Sequence, residues 1–438
     1  MLQTLKNAWK IPDLRKKILF TLAIVVAFRF GSAIPMPFLN MDALSQLMNS
    51  VQQSGGSWGM LNMMTGDAFS RATLFALGIS PYINSSIIMQ LLQVAIPALE
   101  RLAKEGEVGR KKIAMITRFV TVGLGLITGI GYYFFLRNNS IVNYTTGFSG
   151  VFAAIVMVLS FTAGTAIIMW MGEQINDKGI GNGISILLFA GIVARLPVTF
   201  GGVWEFFKMA LEDSANYGKY FILSPLFVIL FLGIIWLIIF MNEAERRIPV
   251  QYAKKVVGRK MYGGQSSFLP IKVAMSGVMP VIFASSILSI PSLLAIFISP
   301  KEGGLFEKIL KAMQNTGGAY MVIYFFLILM FAYFYMVIQY NPIEMANNLR
   351  QSNGTIPGIR PGRPTSDFIS KILSKVTLIG ALFLSVISIV PMIYGRATGM
   401  ASLTIAGTST IIMVGVALET VKQLESQMMM RHYKGFLD

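Results

Sequence analysis

The sequence predicts an all-α polytopic membrane protein with ten transmembrane helices in two inverted five-helix halves. Three observations support that fold class. Of the 438 residues, 54% are hydrophobic and only 13% are charged, whereas soluble globular proteins carry about 25% charged residues. Ten apolar stretches are each long enough to cross a hydrocarbon core about 30 Å thick. The basic residues, which give a net charge of +17, are dense in every second loop, as positive-inside topology requires.

The apolar stretches are bounded by charged residues. Only the first and the fifth are interrupted, by Arg29 and Arg195. Basic residues precede the first stretch as in a signal peptide, but no small-residue cleavage motif follows it, so we expect an uncleaved first span. In chain order the expected spans are 18–41, 72–99, 119–136, 138–172, 179–204, 220–242, 273–300, 312–343, 376–395 and 397–418.

The loops between the spans give the expected orientation. The side of the membrane that holds both termini carries 27 of the 37 Lys and Arg residues. An excess of basic residues marks the cytoplasmic side, so we expect both termini to be cytoplasmic. Five spans in each half invert one half relative to the other, as in many transport proteins. The expected halves are 1–205 and 206–438.

Reactive side chains are scarce. The chain has no Cys and one His, His432, which excludes thiol catalysis and histidine metal clusters. We therefore expect no catalytic residue, metal or cofactor, and no enzyme. Ion-coupled transporters usually bury Asp, Glu or His in their spans, whereas here the candidates are Arg29 and Arg195, both near the expected outer ends. A secondary transporter with a Na⁺ site of backbone carbonyls stays open as the alternative.

Two segments have unusual composition. Residues 51–71, on the outer side, contain an apolar part from Trp58 to Met64 that is too short to span the membrane. A surface loop and a re-entrant helix are equally consistent with it. The glycine-rich segment Gly179–Ser185 opens the fifth span. A phosphate-binding loop would need a preceding strand, so these glycines rather predict a tight helix entry or close helix packing.

Two long loops on the expected cytoplasmic side, 243–272 and 341–375, are strongly basic. The composition of the first predicts a protruding hairpin, and Pro and Gly stiffen a turn in the second. Topogenic charges that contact anionic lipid are one interpretation. The length of the protrusions favours a docking surface for an acidic partner or RNA phosphate at least as much. The candidate docking residues are Arg246, Arg247, Lys254, Lys255, Arg259, Lys260, Arg360 and Arg363.

Several longer motifs resemble those of the SecY family, in its Firmicutes type. They stand in the family's order and are spread over nearly the whole chain. The matching segments are Phe75–Leu92 in the second span, Trp170–Ile175 followed by Gly179–Ser185, and Pro357–Gly362 in the loop between spans eight and nine.

The resemblance implies a protein-conducting channel, a clamshell of two five-helix halves around an hourglass pore. Such a channel translocates unfolded preproteins across the bacterial plasma membrane and releases membrane proteins laterally into it. A ring of branched apolar side chains forms its constriction, where dewetting would prevent ion leak. Matched motif by motif, the ring residues are Ile79, Ile83, Ile184, Leu188, Ile282 and Ile412.

The resemblance also implies a plug and a lateral gate. The plug is the segment from about residue 57 to 70, with the apolar residues Trp58, Met60, Leu61, Met63 and Met64. The gate lies between spans two and three on one side and seven and eight on the other, where a signal peptide would replace helix–helix contacts. Polar residues of the second span would favour the closed gate by about 1 kcal/mol for each interhelical hydrogen bond. They are Asn84, Gln90 and Gln93.

The expected partners follow from the same resemblance. The SecA ATPase and the ribosome would dock on overlapping sites of the basic loops, with Arg360 as the foremost contact. SecE and SecG would complete the complex. The absence of a Walker motif agrees with a passive pore that SecA or the ribosome drives. The remaining expected partners are signal peptides, translocating preproteins and the anionic phospholipid membrane.

Overall fold

The computed structural model describes residues 2–53, 65–213, 218–252, 255–257, 260–262, 266–275, 277–297, 304, 317–399 and 406–434. Within these residues the helices are α1 (Leu2–Lys10), α2 (Pro12–Gly31), α3 (Met41–Gln53), α4 (Ser80–Ala95), α5 (Pro97–Lys104), α6 (Glu107–Asn138), α7 (Gly147–Lys178), α8 (Gly183–Glu212), α9 (Lys219–Glu243), α10 (Met279–Phe297), α11 (Gly318–Gln339), α12 (Pro342–Gln351), α13 (Arg363–Thr398) and α14 (Ala406–Lys434). The strands are β1 (Glu245–Tyr252), β2 (Lys255–Val257), β3 (Lys260–Tyr262), β4 (Ser266–Lys272) and β5 (Gly354–Thr355).

Many of these helices are long and apolar enough to cross a membrane. Among the described residues six pass that test, namely α6, α7, α8, α9, α13 and α11 together with α12. The bent pair α4 and α5 makes a seventh if it forms one span. The expected first, seventh and tenth spans overlap α2, α10 and α14, which do not pass it. The helical, multi-pass architecture is therefore confirmed, and ten spans are consistent with it but stay a prediction.

The second span differs from the expected 72–99. Residues 65–79 form mainly turns, and α4 begins only at Ser80, with a proline in its first turn. Proline suits that position because its fixed φ is already helical. At the other end Ile96 is extended, as expected before Pro97. The chain bends there, and α5 leaves at 101° to α4.

The ninth and tenth spans are shifted for a different reason. Lys371 and Lys375 lie inside α13, which is continuous to Thr398. Charged side chains near a membrane surface extend along a helix without ending it, so charge positions mark helix ends poorly. The last helix consequently starts at Ala406 rather than at 397. Helix α8 likewise continues beyond residue 205, and the division into two halves stays a prediction.

The two basic loops are joined in one small β-sheet. Strand β1 pairs antiparallel with β4 on one side and with β5 on the other. The predicted hairpin of the first loop is therefore present, and β5 anchors it to the second loop. Buried apolar residues beneath the sheet, such as Ile248 and Ile356, come from both loops. We call β1, β4, β5 and the turn 356–362 the basic platform.

Helix contacts show how early and late parts of the chain meet. Helix α8 packs against α7, α9 and α14, and α10 packs against α4, α6 and α11. The seventh expected span thus contacts the second and third, and the tenth contacts the fifth. A large apolar cluster lies among these helices. The candidate site is built in and around that cluster.

Candidate functional site

The six residues expected to form a ring all belong to this large apolar cluster. Five of them are buried, with 2–7% exposure, and the sixth, Ile184, is half-buried and packs against the other members. The cluster holds many further residues, so membership does not separate a constriction from ordinary helix packing. On α14, Ile411 and Ile412 are equally buried. Burial therefore leaves the register of the last ring residue undecided, and the ring stays a prediction.

The first turn of α8 positions its ring residues. The side-chain oxygen of Asn182 accepts hydrogen bonds from the N–H groups of Ile184 and Ser185 and so caps the helix. A Cβ on Gly183 would lie 1.9 Å from the carbonyl oxygen of Gly172 on α7. The glycines thus permit the tight entry and close helix packing that the sequence predicts. This contact holds the start of α8, and with it Ile184, against α7.

A cavity of about 380 Å³ opens beside the cluster. It is bounded by the first turn of α8, the end of α9, the segment before α10, the last turns of α11 and the middle of α14. Ser185 in its wall directly follows Ile184, one of the expected ring residues. Lys272, the last residue of β4, brings the basic platform to its mouth. The polar lining residues are Asn182, Ser185, Asn242, Lys272, Gln339, Glu419 and Lys422.

On the other side of the cluster, the two arginines of the expected spans contact one turn of the chain. Arg195 Nε lies 3.1 Å from Asp67 Oδ1, and Arg29 Nη1 donates a hydrogen bond of 3.4 Å to the carbonyl oxygen of Gly66. Both arginines therefore bind the segment that leads into α4. The sequence drew attention to both arginines but did not predict Asp67 as the partner of Arg195, because no pattern along the chain relates positions so far apart.

The expected gate residues lie on α4, which contacts α6 and α10. Asn84, Gln90 and Gln93 are half-buried. The side chain of Gln90 donates to Ser86 Oγ of the same helix at 3.3 Å, so this bond does not cross to a neighbouring helix. An interhelical bond comes instead from Ser85, whose buried hydroxyl donates to the carbonyl oxygen of Thr117 on α6 at 2.8 Å. Ser85 was not singled out by its sequence context.

The expected plug lies largely outside the described residues. This applies to Trp58, Met60, Leu61, Met63 and Met64. In its described end, residues 66–70 form turns. Tyr132 Oη on α6 donates a hydrogen bond of 2.6 Å to the carbonyl oxygen of Phe69. That end is therefore fixed to the helices around it.

Of the expected docking residues that the structure describes, Arg246, Arg247 and Arg360 lie on the basic platform, and Arg363 opens α13 directly after it. Arg246, Arg247, Arg360 and Arg363 are exposed. Arg247 is paired with Glu245 at 2.6 Å. Among the described residues the other three arginines form no ion pair. Lys255 and Lys260 lie in the paired strands β2 and β3, and Lys254 and Arg259 lie outside the described residues.

Backbone geometry fixes the turn that presents Arg360. Gly358 and Gly362 have φ of 81° and 104°, which residues with a Cβ adopt only with strain. Thr365 Oγ1 donates to the carbonyl oxygen of Arg360 at 2.8 Å. The turn is consequently rigid, so the backbone that carries the Arg360 side chain has a fixed position. Elsewhere in the described part of the chain, no group of three or more His, Asp or Glu could hold a metal ion.

Comparison with known proteins identifies the family. The model of the SecY family matches residues 73–421. The protein translocase subunit SecY of Streptomyces scabiei is 42% identical over the full length of both chains. A solved SecY structure, titled for a plug domain that stabilises the closed state of the translocation channel, has a TM-score of 0.64 at 16% identity and covers 94% of this chain and 92% of its own. Sec61 in the canine ribosome-channel complex has a TM-score of 0.57 at 14% identity, with the same coverage. Full-length identity to curated members, a matching family model and a shared fold together place this chain in the SecY family.

Proposed function

We propose that this SecY-family chain is the pore of a protein translocase in the bacterial plasma membrane. Unfolded preproteins cross through it, and membrane segments leave it sideways into the lipid. The full-length match to the SecY family carries the proposal. Six branched aliphatic residues from α8, α10, α14 and the start of α4 meet in one buried cluster near a polar cavity, which agrees with it. Family membership favours this function over transport of a small solute.

The ring seals the pore without a specific ligand. Branched aliphatic side chains at a narrow constriction exclude water, and an ion that loses its hydration there finds no replacement. A passing polypeptide can widen the ring through rotamer changes. Because these side chains carry no charge and no hydrogen-bonding group, they bind no particular sequence tightly. The same residues thus seal the closed channel and let chains of many sequences pass through the open one.

The polar cavity is the entrance funnel. An unfolded chain arrives with hydrated peptide groups, and losing that hydration without new partners is costly. The wall stays hydrated up to the ring, because it carries the amides of Asn182 and Asn242 and the charges of Glu419 and Lys422. Charges of both signs give the funnel no preference for one type of cargo. This suits a pore that handles many sequences.

The gate opens where α10 contacts α4 and α6. The bond from Ser85 to Thr117 joins α4 to α6, so these two helices move together and α10 separates from them. A signal peptide is an apolar helix, and it lies in this opening as a substitute for the lost helix contacts. Its differential affinity for the open state supplies the driving force. Asn84, Gln90 and Gln93 lie on the helix that it meets.

The plug, residues 57 to 70, closes the mouth opposite the funnel. The solved SecY structure whose title assigns a membrane seal to the plug domain supports this role. The anchored end at Phe69 and Asp67 supports it as well, because it keeps the segment beside the ring.

The basic platform faces the cytoplasm, as do both chain termini, and anionic phospholipid surrounds it. SecA and the ribosome dock on it in turn, and SecE and SecG complete the complex. The related Sec61 in a ribosome-channel complex supports the ribosome as a partner. Three exposed arginines form no ion pair among the described residues and provide affinity for acidic side chains and phosphate, namely Arg246 and Arg360 on the platform and Arg363 directly after it.

Reconstitution tests the function. Liposomes containing the full chain with SecE are given SecA, ATP and a signal-bearing precursor, and protease protection of the precursor is measured. We expect ATP-dependent protection that disappears without this chain. Arg360→Glu should lower it at least tenfold, about 1.4 kcal/mol, whereas Arg110→Glu, a charge reversal at another exposed arginine in the first turn of α6, should not. Absence of protection with the unaltered chain would refute the proposal, and normal protection with Arg360→Glu would refute the docking site.

Planar bilayers test the ring. We expect the double variant Ile79→Gly, Ile83→Gly to raise the resting ion conductance. Ile87→Gly is the matched control, because Ile87 is buried in the same cluster one turn further along α4. Equal conductance in all three channels would place the constriction elsewhere. Equal leak from the control would mean that general loosening of α4, and not the ring, causes it.

A further inference from the structure

An ion pair joins helix α8 to the segment that leads into α4. Arg195 Nε and Asp67 Oδ1 are 3.1 Å apart, and their side chains are only 15% and 21% exposed. Both charges are thus largely removed from solvent. A pair in such a place differs from a surface salt bridge, whose contribution is small because water screens it. Removing Asp67 leaves the charge of Arg195 partly buried without this counter-ion, and removing Arg195 leaves Asp67 with the charge of Arg29 nearby.

Helix geometry relates Arg195 to the ring. It follows Leu188 by seven residues, which is close to two turns, so both residues lie on one face of α8 about 10 Å apart along its axis. Between them, Gly191 touches the segment that carries Asp67. A Cβ on Gly66 would lie 3.0 Å from the carbonyl oxygen of Gly191. The segment therefore lies directly on the ring-bearing face of α8.

The same segment leads straight to the ring residues of α4. Its beginning and end are in contact, since a Cβ on Gly78 would lie 2.6 Å from Thr65 Cγ2. Gly78 immediately precedes Ile79. Gly66 and Asp67 have φ of 62° and 72°, and Asp tolerates this region better than most residues because its short side chain hydrogen-bonds locally. The turn is thus held in an unusual conformation that brings the carboxylate to α8.

We propose that the Asp67–Arg195 ion pair is a latch that holds the α4 arm of the ring, Ile79 and Ile83, against the α8 arm, Leu188. The latch rests on the proposed channel function. With the pair intact, moving α4 away from α8 separates two partly buried charges, which adds to the stability of the closed ring. Arg29, bound to the carbonyl oxygen of Gly66, keeps the turn in place but supplies no charge pair with α8 itself.

A double-mutant cycle on the full chain, in the complex with which it purifies, tests the latch in planar bilayers. We expect Asp67→Asn and Arg195→Gln each to raise the resting conductance about tenfold. The double variant should leak about as much as either single one, because the same interaction is lost only once. Arg195→Lys retains the charge and should restore a conductance close to that of the unaltered channel. If Arg195→Gln does not fold, the comparison of Arg195→Lys with Asp67→Asn still tests the latch.

A second, more exposed ion pair between two elements is the control. Arg118 on α6 and Glu173 on α7 are 2.6 Å apart, also join two elements and lie near the opposite ends of the spans. Arg118→Gln and Glu173→Gln should leave the resting conductance unchanged. Thermal unfolding of every variant, measured in parallel, shows whether a leak follows from lost stability.

Three outcomes would overturn the latch. They are unchanged conductance in both single variants, independent effects that multiply to about a hundredfold in the double variant, and equal leak from the control pair. The Ile79→Gly, Ile83→Gly channel is run alongside. If it leaks while the latch variants do not, only the latch is refuted. If its resting conductance is also unchanged, the proposed ring is refuted.

Discussion

Helix α7 and the segment 65–79 touch backbone to backbone at Gly164. A Cβ at that position would lie 2.0 Å from the carbonyl oxygen of Leu74 and 3.3 Å from Phe75 Cδ1. Ordinary carbon–oxygen contacts are about 3.3 Å or longer, so Gly164→Ala must displace one of the two backbones by about 1.3 Å. Leu74 cannot turn aside freely, because its N–H donates to the carbonyl oxygen of Ile34. A side-chain rotation cannot relieve the clash either.

The expected cost follows from two opposing terms. Forcing an extra carbon into a well-packed site costs about 1–3 kcal/mol, and the rigid backbone oxygen puts this site in the upper half of that range. Alanine regains about 1 kcal/mol over glycine in a helix interior. The free energy of unfolding should therefore fall by about 1–2 kcal/mol. The shift also reaches Phe75, which stacks on Phe28 with ring centroids 5.9 Å apart and lies one turn before Ile79.

Thermal unfolding of the purified chain in lipid nanodiscs measures this cost, and bilayer conductance measures the effect on the ring. Gly233→Ala is the control, because Gly233 lies inside α9 and no described atom comes within 4 Å of the Cβ that it would gain. We expect a lower midpoint and a raised leak for Gly164→Ala and neither for Gly233→Ala. Equal midpoints for the two variants would refute the reasoning.

Three further variants test separate contacts by similar means. Ser85→Ala removes the bond to Thr117 and should lower the free energy of unfolding by only about 0.6 kcal/mol, since Thr121 Oγ1 donates to the same carbonyl oxygen at 2.7 Å. A loss above about 2 kcal/mol in thermal unfolding would contradict this. Asn182→Ala removes the cap of α8 and should cost about 1 kcal/mol, seen as faster hydrogen exchange in the first turn of that helix. Ile356→Ala deletes a side chain that is 4% exposed beneath the basic platform and should cost about 2–4 kcal/mol, seen as faster tryptic cleavage of the platform while the spans stay protected.

The helical membrane fold could be predicted because its signal is local. A run of apolar residues long enough to cross a bilayer needs no information from elsewhere in the chain. The same holds for the glycines that open α8, since a tight helix entry depends on the residues at the entry itself. Helix ends were predicted less well. The bend at Pro97 has a local cause in the proline, but no charged residue marks it. The continuation of α13 through Lys371 depends on where the membrane surface lies, which charge positions alone do not give.

The sequence by itself determined the class of protein, most of its spans and the segments that carry the family resemblance. Only the tertiary structure decided which of these segments touch. Thr355 reaches Gln251, 104 residues away, to join the two basic loops in one sheet, and Arg195 finds its counter-ion at Asp67. Such contacts are set by how helices pack around a shared core. No periodicity along the chain encodes which distant residue will lie opposite a given side chain.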